Sequence, residues 1–208
     1  MAFKNVKNIL FDFGGVIVSL ELQNALKRFK EIGFENIDEY LNEFRQKGIF
    51  LDYETGHIDR ENFKKEFQRI GNNKATMEEI DSAWLAFLTG IPAYKYQLLR
   101  DLSKKYNLYL LSNTNPSVMG WAMSDKFSPE GKPISDFFDK CFLSYEMGTA
   151  KPDKKIFDLI SNAGIKPEET LFLDDGQKNI DMAKELGFQV YLANQDEDLK
   201  KFFDEQVD

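Results

Sequence analysis

A doubly wound parallel α/β sheet, interrupted after its first strand by an all-helical block, is the fold this sequence predicts. Three observations predict it. Short apolar runs alternate with amphipathic helical stretches through the second half of the chain. The opening run, "VKNILF", reads as a strand apolar on both faces, as in the middle of a parallel sheet. From about residue 20 to residue 90 only helical spacing occurs, with no strand of its own.

Taken in order, "VKNILF" leads straight into Asp12 and the glycines of "FDFGGV". Leu22, Ala25, Leu26 and Phe29 then follow helical spacing, as do Phe63, Phe67 and Ile70, and Met77, Ile80, Trp84 and Phe87. "TMEE" offers a capping box, with Thr76 as the cap and Glu79 reaching back. After "GIPAY" the alternation begins. "YQLLRDLSKKY" is a helix, "NLYLLS" a strand, and residues 112–134 a longer connection whose second half is a Gly- and Pro-containing surface loop. "KCFLS" is a strand, and "PDKKIFDLISNAG" a helix with Pro152 at its start and Gly164 after its end. "TLFLDD" is a strand, "QKNIDMAKELG" a helix ending at Gly187, "QVYLA" a strand and "DEDLKKFFDE" a last helix with a solvated face. The expected division is a core of residues 1–16 and 92–208 and a helical cap of residues 17–91.

A chain of 208 residues is long enough to bury a substantial core. Its net charge of −8 argues against nucleic acid or an anionic membrane as the main partner, although a local cation can still hold a phosphorylated small molecule. Cys141 is the single cysteine, so no internal disulfide can form, which fits a reducing cytoplasm. The N-terminal apolar run is short and broken by Asp12, unlike a signal peptide, and no run approaches the roughly 20 residues that span a bilayer.

Open parallel sheets bind ligands at the carboxyl ends of their strands. There the first strand delivers Asp12 and the second Ser112, Asn113 and Thr114. The third leads through "YEMGTA" to Lys151, and the fourth ends in Asp174 and Asp175. Carboxylates suit a hard cation such as Mg²⁺, while a hydroxyl, backbone amides and a lysine can hold phosphate oxygens.

In order and spacing, Asp12 in "FDFGGV", Ser112 in "LLSNTN", Lys151 in "GTAKPDKKIF" and Asp174–Asp175 in "FLDDGQKNIDMAKELG" resemble the four motifs of the haloacid dehalogenase-like hydrolase superfamily. The inserted block is similar to its helical cap of the first type. The resemblance implies a Mg²⁺-dependent hydrolase, a phosphatase acting on a small phosphate ester such as a sugar phosphate. It implies Asp12 as the nucleophile that forms an aspartyl-phosphate. Asp12, the Gly14 carbonyl and Asp175 would ligate the metal, with Asp174 hydrogen-bonding behind them. Ser112, the Asn113 amide and Lys151 would bind phosphoryl oxygens, and Asn179 would brace the metal site or Lys151.

One position departs from that pattern. Most phosphatases of the superfamily carry a second aspartate two residues after the nucleophile, to protonate the leaving group and then activate water. Gly14 stands there, and glycine moves no proton. Three readings compete. A phosphatase could act on good leaving groups or borrow its acid from the cap, since losing a placed acid/base forfeits about 10²–10⁴ in rate. The site could bind without turnover. Or the chain could be a 2-haloacid dehalogenase, but those enzymes carry tyrosine at the Gly14 position and use no metal, so the acidic pair favours the phosphatase. The cap segment "FLDYETGHIDRENF" resembles the loop that related caps lay over the site, and Asp52, Tyr53, Glu54 and the only histidine, His57, are its candidates to supply the proton or select substrate. The plainer reading gives Gly56 the turn, Asp59 the cap of the next helix and His57 the surface. Cys141 and Trp84 read as core, and Trp121 as either a pocket wall or a contact surface.

Overall fold

A computed structural model describes residues 3–41, 46–195 and 197–207. Five strands form one parallel sheet: β1 (Asn8–Phe11), β4 (Asn107–Ser112), β5 (Lys140–Leu143), β6 (Thr170–Asp174) and β7 (Gln189–Leu192). Their spatial order is β5-β4-β1-β6-β7. After β1 the chain winds outward through β4 and β5, then returns to β6 and winds the other way to β7. The switch point therefore lies between β1 and β6, and a doubly wound sheet opens its ligand crevice there.

Alternation along each strand explains why both faces need cover. Ile9, Phe11, Leu108, Leu110, Leu171 and Leu173 enter one buried cluster, whereas Leu10, Leu111 and Phe172 enter a second. The first face is covered by α5 (Ala93–Leu102), through Leu98, Leu99 and Leu102, and by α10 (Leu199–Gln206), through Leu199, Phe202 and Phe203. The second is covered by α8 (Lys154–Asn162), through Ile156, Phe157 and Ile160, and by α9 (Gln177–Glu185), through Ile180 and Ala183. The helix α8 starts two residues later than Pro152 suggested, because the Asp153 carboxylate accepts the Lys155 N–H and caps it. Gly164 and Gly187 follow α8 and α9 in the left-handed conformation at φ +92° and +90°, as helix ends require. Asp196, at the front of the expected last helix, lies outside the described residues.

Between β1 and α5 lie α1 (Leu22–Glu31), α2 (Ile49–Glu54), α3 (Arg60–Gly71) and α4 (Met77–Leu85). Short helices gain their stability from packing rather than propensity, and here aromatic rings supply it. Phe50 lies within 6.3 Å, centroid to centroid, of Phe29, Phe34, Phe63, Phe67 and Trp84. The Thr76–Glu79 capping box starts α4, and Asp59 caps α3. One expectation is corrected. The block is not free of strand, because β2 (Ser19–Leu20) and β3 (Leu88–Gly90) pair antiparallel at its root. The ribbon is too short to carry a period of two, so sequence pattern could not reveal it. It sets the two chain crossings into the block side by side. The Gln195 side-chain amide clamps it to the sheet, accepting from the Leu20 N–H at 2.7 Å and donating to the Leu20 carbonyl at 3.3 Å.

The first half of residues 112–134 is helical. Helix α6 (Pro116–Ala122) begins right after β4, with Pro116 at its first position and Asn115 accepting from the Ser117 and Val118 N–H groups. Trp121 belongs to this helix and packs edge-on against Phe127. Trp84 is buried, and Cys141 is half-buried against the core with burial pushing its thiol up to about 11. No helix among the described residues is long and apolar enough to cross a membrane.

Candidate active site at the sheet switch point

The buried ammonium of Lys151 organises the crevice. It lies 2.8 Å from Asp12 Oδ1 and 2.6 Å from Asp174 Oδ2, and donates to the Leu111 carbonyl at 2.9 Å. A fully buried charge is tolerated only with partners of this kind. The lysine's position is set by Asn113, whose side chain accepts from the Lys151 N–H at 2.8 Å and donates to the Lys151 carbonyl at 2.9 Å. The Asn113 side chain is thus spent on scaffolding, and only its backbone could serve a phosphate.

Asp174 has a partner on each of its oxygens. Its Oδ1 accepts from the Gly176 N–H and from Asn179 Nδ2, each at 2.8 Å, while its Oδ2 takes Lys151. Asn179 therefore braces Asp174 directly, and Lys151 through it. Asp12 is different: its Oδ1 accepts from the Phe13 N–H at 2.6 Å and from Lys151, while Oδ2 has no protein partner among the described residues. Asp175 stands on the open rim, and Asp12, Asp174 and Asp175 present carboxylate oxygens within 4.8 Å of one another. Ser112 is buried, and its hydroxyl makes only a long 3.4 Å contact to the Asn113 carbonyl.

Three carboxylates thus face one ammonium. Burial raises the Asp12 carboxyl well above the usual range; Lys151 opposes that rise, and Asp174 and Asp175 add to it. Burial, then Asp174, also raises Asp175. Burial works against the Lys151 charge, but Asp12 and Asp174 outweigh it and hold its pKa above the ordinary lysine value. The cluster lacks positive charge, and its unsatisfied oxygens are hard donors, so the residues fit a divalent cation such as Mg²⁺.

The two glycines have separate causes. Gly15 has φ +70°, and a Cβ there would lie 1.9 Å from Asp175 Oδ2, so the turn admits no side chain. At Gly14 a Cβ would meet only the flexible Leu20 side chain, at 2.6 Å. Backbone geometry therefore does not demand Gly14. The position leaves the site without an acid because Leu20, from the ribbon, occupies that space.

Of the cap residues, His57 is exposed, with Nδ1 3.0 Å from the Thr55 hydroxyl. Gly56 turns at φ +69° against the Tyr145 carbonyl. Glu54 is buried, and so is Tyr53, whose hydroxyl lies 3.0 Å from Ser117 Oγ on α6. Several residues of the site surroundings were not singled out from sequence. Lys95 is buried and donates to the Val16 carbonyl, fixing the turn after Asp12. Its signal was there: Lys95 falls on the same helical stripe as Leu98, Leu99 and Leu102. Ser144 Oγ accepts from the Thr114 N–H at 2.9 Å and lies 2.5 Å from the Glu54 carbonyl, joining the cap segment to the ends of β4 and β5. Its signal was also present, since Ser144 ends the apolar run "CFL" as Ser112 ends "YLL". A separate cleft of about 460 Å³, lined by Phe3, Tyr191 and α10 residues, contains none of these groups.

Fold and site together define a doubly wound α/β protein with a lysine-centred, metal-competent acidic cluster at its switch point. The chain belongs to the haloacid dehalogenase-like hydrolase family, whose model matches residues 6–187. It is 44% identical over 187 residues to a D-ribitol-5-phosphate phosphatase of Bacteroides thetaiotaomicron, covering 89% of this chain and 91% of that protein. A HAD-like family hydrolase from Porphyromonas gingivalis superposes with a TM-score of 0.90 at 41% identity, over 97% of this chain and 99% of that one. A HAD family enzyme from Bacteroides thetaiotaomicron, an aspartate-to-alanine mutant in complex with magnesium and inorganic phosphate, gives 0.90 at 39% identity over 95% and 98%.

Proposed function

We infer that the chain is a Mg²⁺-dependent phosphatase of a small sugar or sugar-alcohol phosphate, with the relative's D-ribitol 5-phosphate as the first substrate to try. The observation that carries the reading is Asp12: a buried carboxylate with one oxygen bound to Lys151 and the other unpartnered, facing an acidic cluster short of cations. Asp12, the Gly14 carbonyl and Asp175 would hold the metal, which supplies charge neutralisation between two anions when bound. Asp174 is left out of that set because both its oxygens already have protein partners, Lys151 on one and Asn179 and the Gly176 N–H on the other. Asp174 and Asn179 instead hold Lys151 in place.

In this reading Lys151, the Ser112 hydroxyl and the Asn113 N–H bind the phosphoryl oxygens and align phosphorus with Asp12 Oδ2. Asp12 attacks, the ester oxygen leaves, and water then cleaves the aspartyl-phosphate. Residues 17–91 act as a cap over the core of residues 1–16 and 92–208, shielding the site from bulk solvent and selecting substrate. A cytoplasmic setting suits the single reduced Cys141 and a phosphorylated metabolite as substrate.

The test is a phosphate-release screen over sugar, sugar-alcohol and aryl phosphates, with and without Mg²⁺. Release should need the metal, and Asp12→Asn should lower it by at least about 10³-fold. Metal-independent release, or release that survives Asp12→Asn, would defeat the reading. Halide release from a 2-haloacid without metal would favour a dehalogenase instead.

A further inference from the structure

Lys95 stands where an apolar residue is due. It lies one turn before Leu98 and Leu99 on the buried stripe of α5, and only 2% of it is exposed. Burying a long, flexible ammonium costs both solvation and rotamer freedom. Among the described residues its Nζ has one hydrogen-bond partner, the Val16 carbonyl. That carbonyl is buried too, on a residue 1% exposed, and Lys95 is its only donor among the described residues. Each group is therefore the other's answer to burial, and a hydrogen bond from an ammonium is a strong one.

The turn held in this way is the one that carries Gly14. Three backbone bonds close it on itself. The Gly15 N–H donates to the Val18 carbonyl at 2.8 Å, and the Ile17 and Val18 N–H groups both donate to the Phe13 carbonyl at 2.9 Å. Residues 13–18 thus form one rigid unit. It is tied to the core at two points. Before it, the Asp12 N–H donates to the Leu173 carbonyl at 2.8 Å, which fixes Asp12 through the sheet. Within it, Val16 is tied by Lys95 alone. Between the two ties stands the Gly14 carbonyl, which accepts from no donor among the described residues.

We propose that Lys95 is a positioning residue for the metal site: it anchors the turn through Val16 and so presets the Gly14 carbonyl to receive Mg²⁺. The inference rests on the reading above, in which that carbonyl is a metal ligand, and names the residue that governs its affinity. Mg²⁺ demands near-ideal octahedral geometry, so a ligand free to wander binds it poorly. Asp12, held by its own tie to β6, keeps its place without Lys95.

The test is a calorimetric Mg²⁺ titration of the wild-type protein, Lys95→Met and Leu99→Ala, at a temperature where melts show all three folded. Leu99→Ala loosens the same buried face of α5 but leaves the Val16 carbonyl its donor. Lys95→Met should weaken Mg²⁺ binding by at least about 10-fold, and Leu99→Ala by less than about twofold. In turnover of ribitol 5-phosphate, the Lys95→Met deficit should lie in the Mg²⁺ concentration for half-activation and shrink as the metal saturates. If Lys95→Met does not fold, Lys95→Gln, whose amide is too short to reach Val16, takes its place with the same expected loss. Wild-type Mg²⁺ affinity in the Lys95 variant, or equal weakening in Leu99→Ala, would overturn the proposal and leave Lys95 a general support of the fold. Failure of the wild-type protein itself to bind Mg²⁺ would instead sink the metal-dependent reading beneath it.

Discussion

The core rim and the cap segment each bury charge-bearing side chains, and they treat them in opposite ways. At the rim, Lys151 has Asp12, Asp174 and the Leu111 carbonyl, and Asp174 has Lys151, Asn179 and the Gly176 N–H. In the cap segment, Glu54 is as well buried, yet its carboxyl has no partner among the described residues. A buried ionisable group answers its desolvation either by pairing or by staying neutral. Lys151 and Asp174 at the rim take the first course, each with partners on its charged atoms. The cap segment takes the second: burial raises the Glu54 carboxyl to about 8, so it stays neutral at neutral pH.

Replacing Lys151 should do the most damage, because it makes the rim resemble the cap. Lys151→Met leaves Asp12 and Asp174 buried without their cation and should cost about 3–5 kcal/mol in urea unfolding, together with activity. Added Mg²⁺ should recover part of that stability, since it supplies positive charge to the same carboxylates. Equal loss with and without Mg²⁺ would show that the acidic cluster does not hold the metal.

Next in size is a pH effect at Glu54. Its folded value of about 8 lies above the ordinary 4.5, so the folded chain keeps a proton that the unfolded chain releases. Stability from this group therefore falls as pH rises from about 4.5 to about 8, and levels off above that. Asp12 and Asp175 are raised too and slope the same way, so the informative quantity is a difference. Glu54→Gln should gain on the wild-type protein by a few kcal/mol between pH 5 and pH 8, on the order expected for a shift of this size. Parallel stability curves for the two proteins would mean that Glu54 is solvated and ionised.

The smallest effects separate the two glycines. Gly15→Ala puts a Cβ into Asp175 at a positive φ, and should cost about 1–3 kcal/mol and weaken Mg²⁺ binding. Gly14→Ala meets only the end of Leu20 and should cost less than about 1 kcal/mol. Thermal melts with and without Mg²⁺ would rank them; the reverse ranking would contradict the geometry described for the turn.

The same contrast governs what could be read from sequence. The rim was legible because polar residues ending apolar strands break a pattern: Asp12 after "NILF", Ser112 after "YLL", Asp174 after "LFL". Parallel pairing then brings separate strand ends to one edge, so topology alone assembles the cluster. The division of labour inside it was not legible. That the Asn113 side chain holds the Lys151 backbone, or that Asn179 serves Asp174, depends on rotamers and loop paths that no periodicity encodes. The β2–β3 ribbon escaped notice because its strands are shorter than the pattern that identifies a strand. In the cap segment the sequence offered Asp52, Tyr53, Glu54 and His57 on equal terms. Only burial separates Glu54 from the exposed His57.

The most direct test of the central claim is to trap the covalent intermediate. The protein is mixed with Mg²⁺ and ribitol 5-phosphate, quenched into borohydride, which reduces an acyl phosphate to an alcohol, and digested for mass spectrometry. The expected result is homoserine at position 12, formed only when substrate and Mg²⁺ are both present and absent from Asp12→Asn. An unmodified Asp12 in samples quenched during steady turnover, with reduction at another carboxylate, would contradict the assignment of Asp12 as the nucleophile.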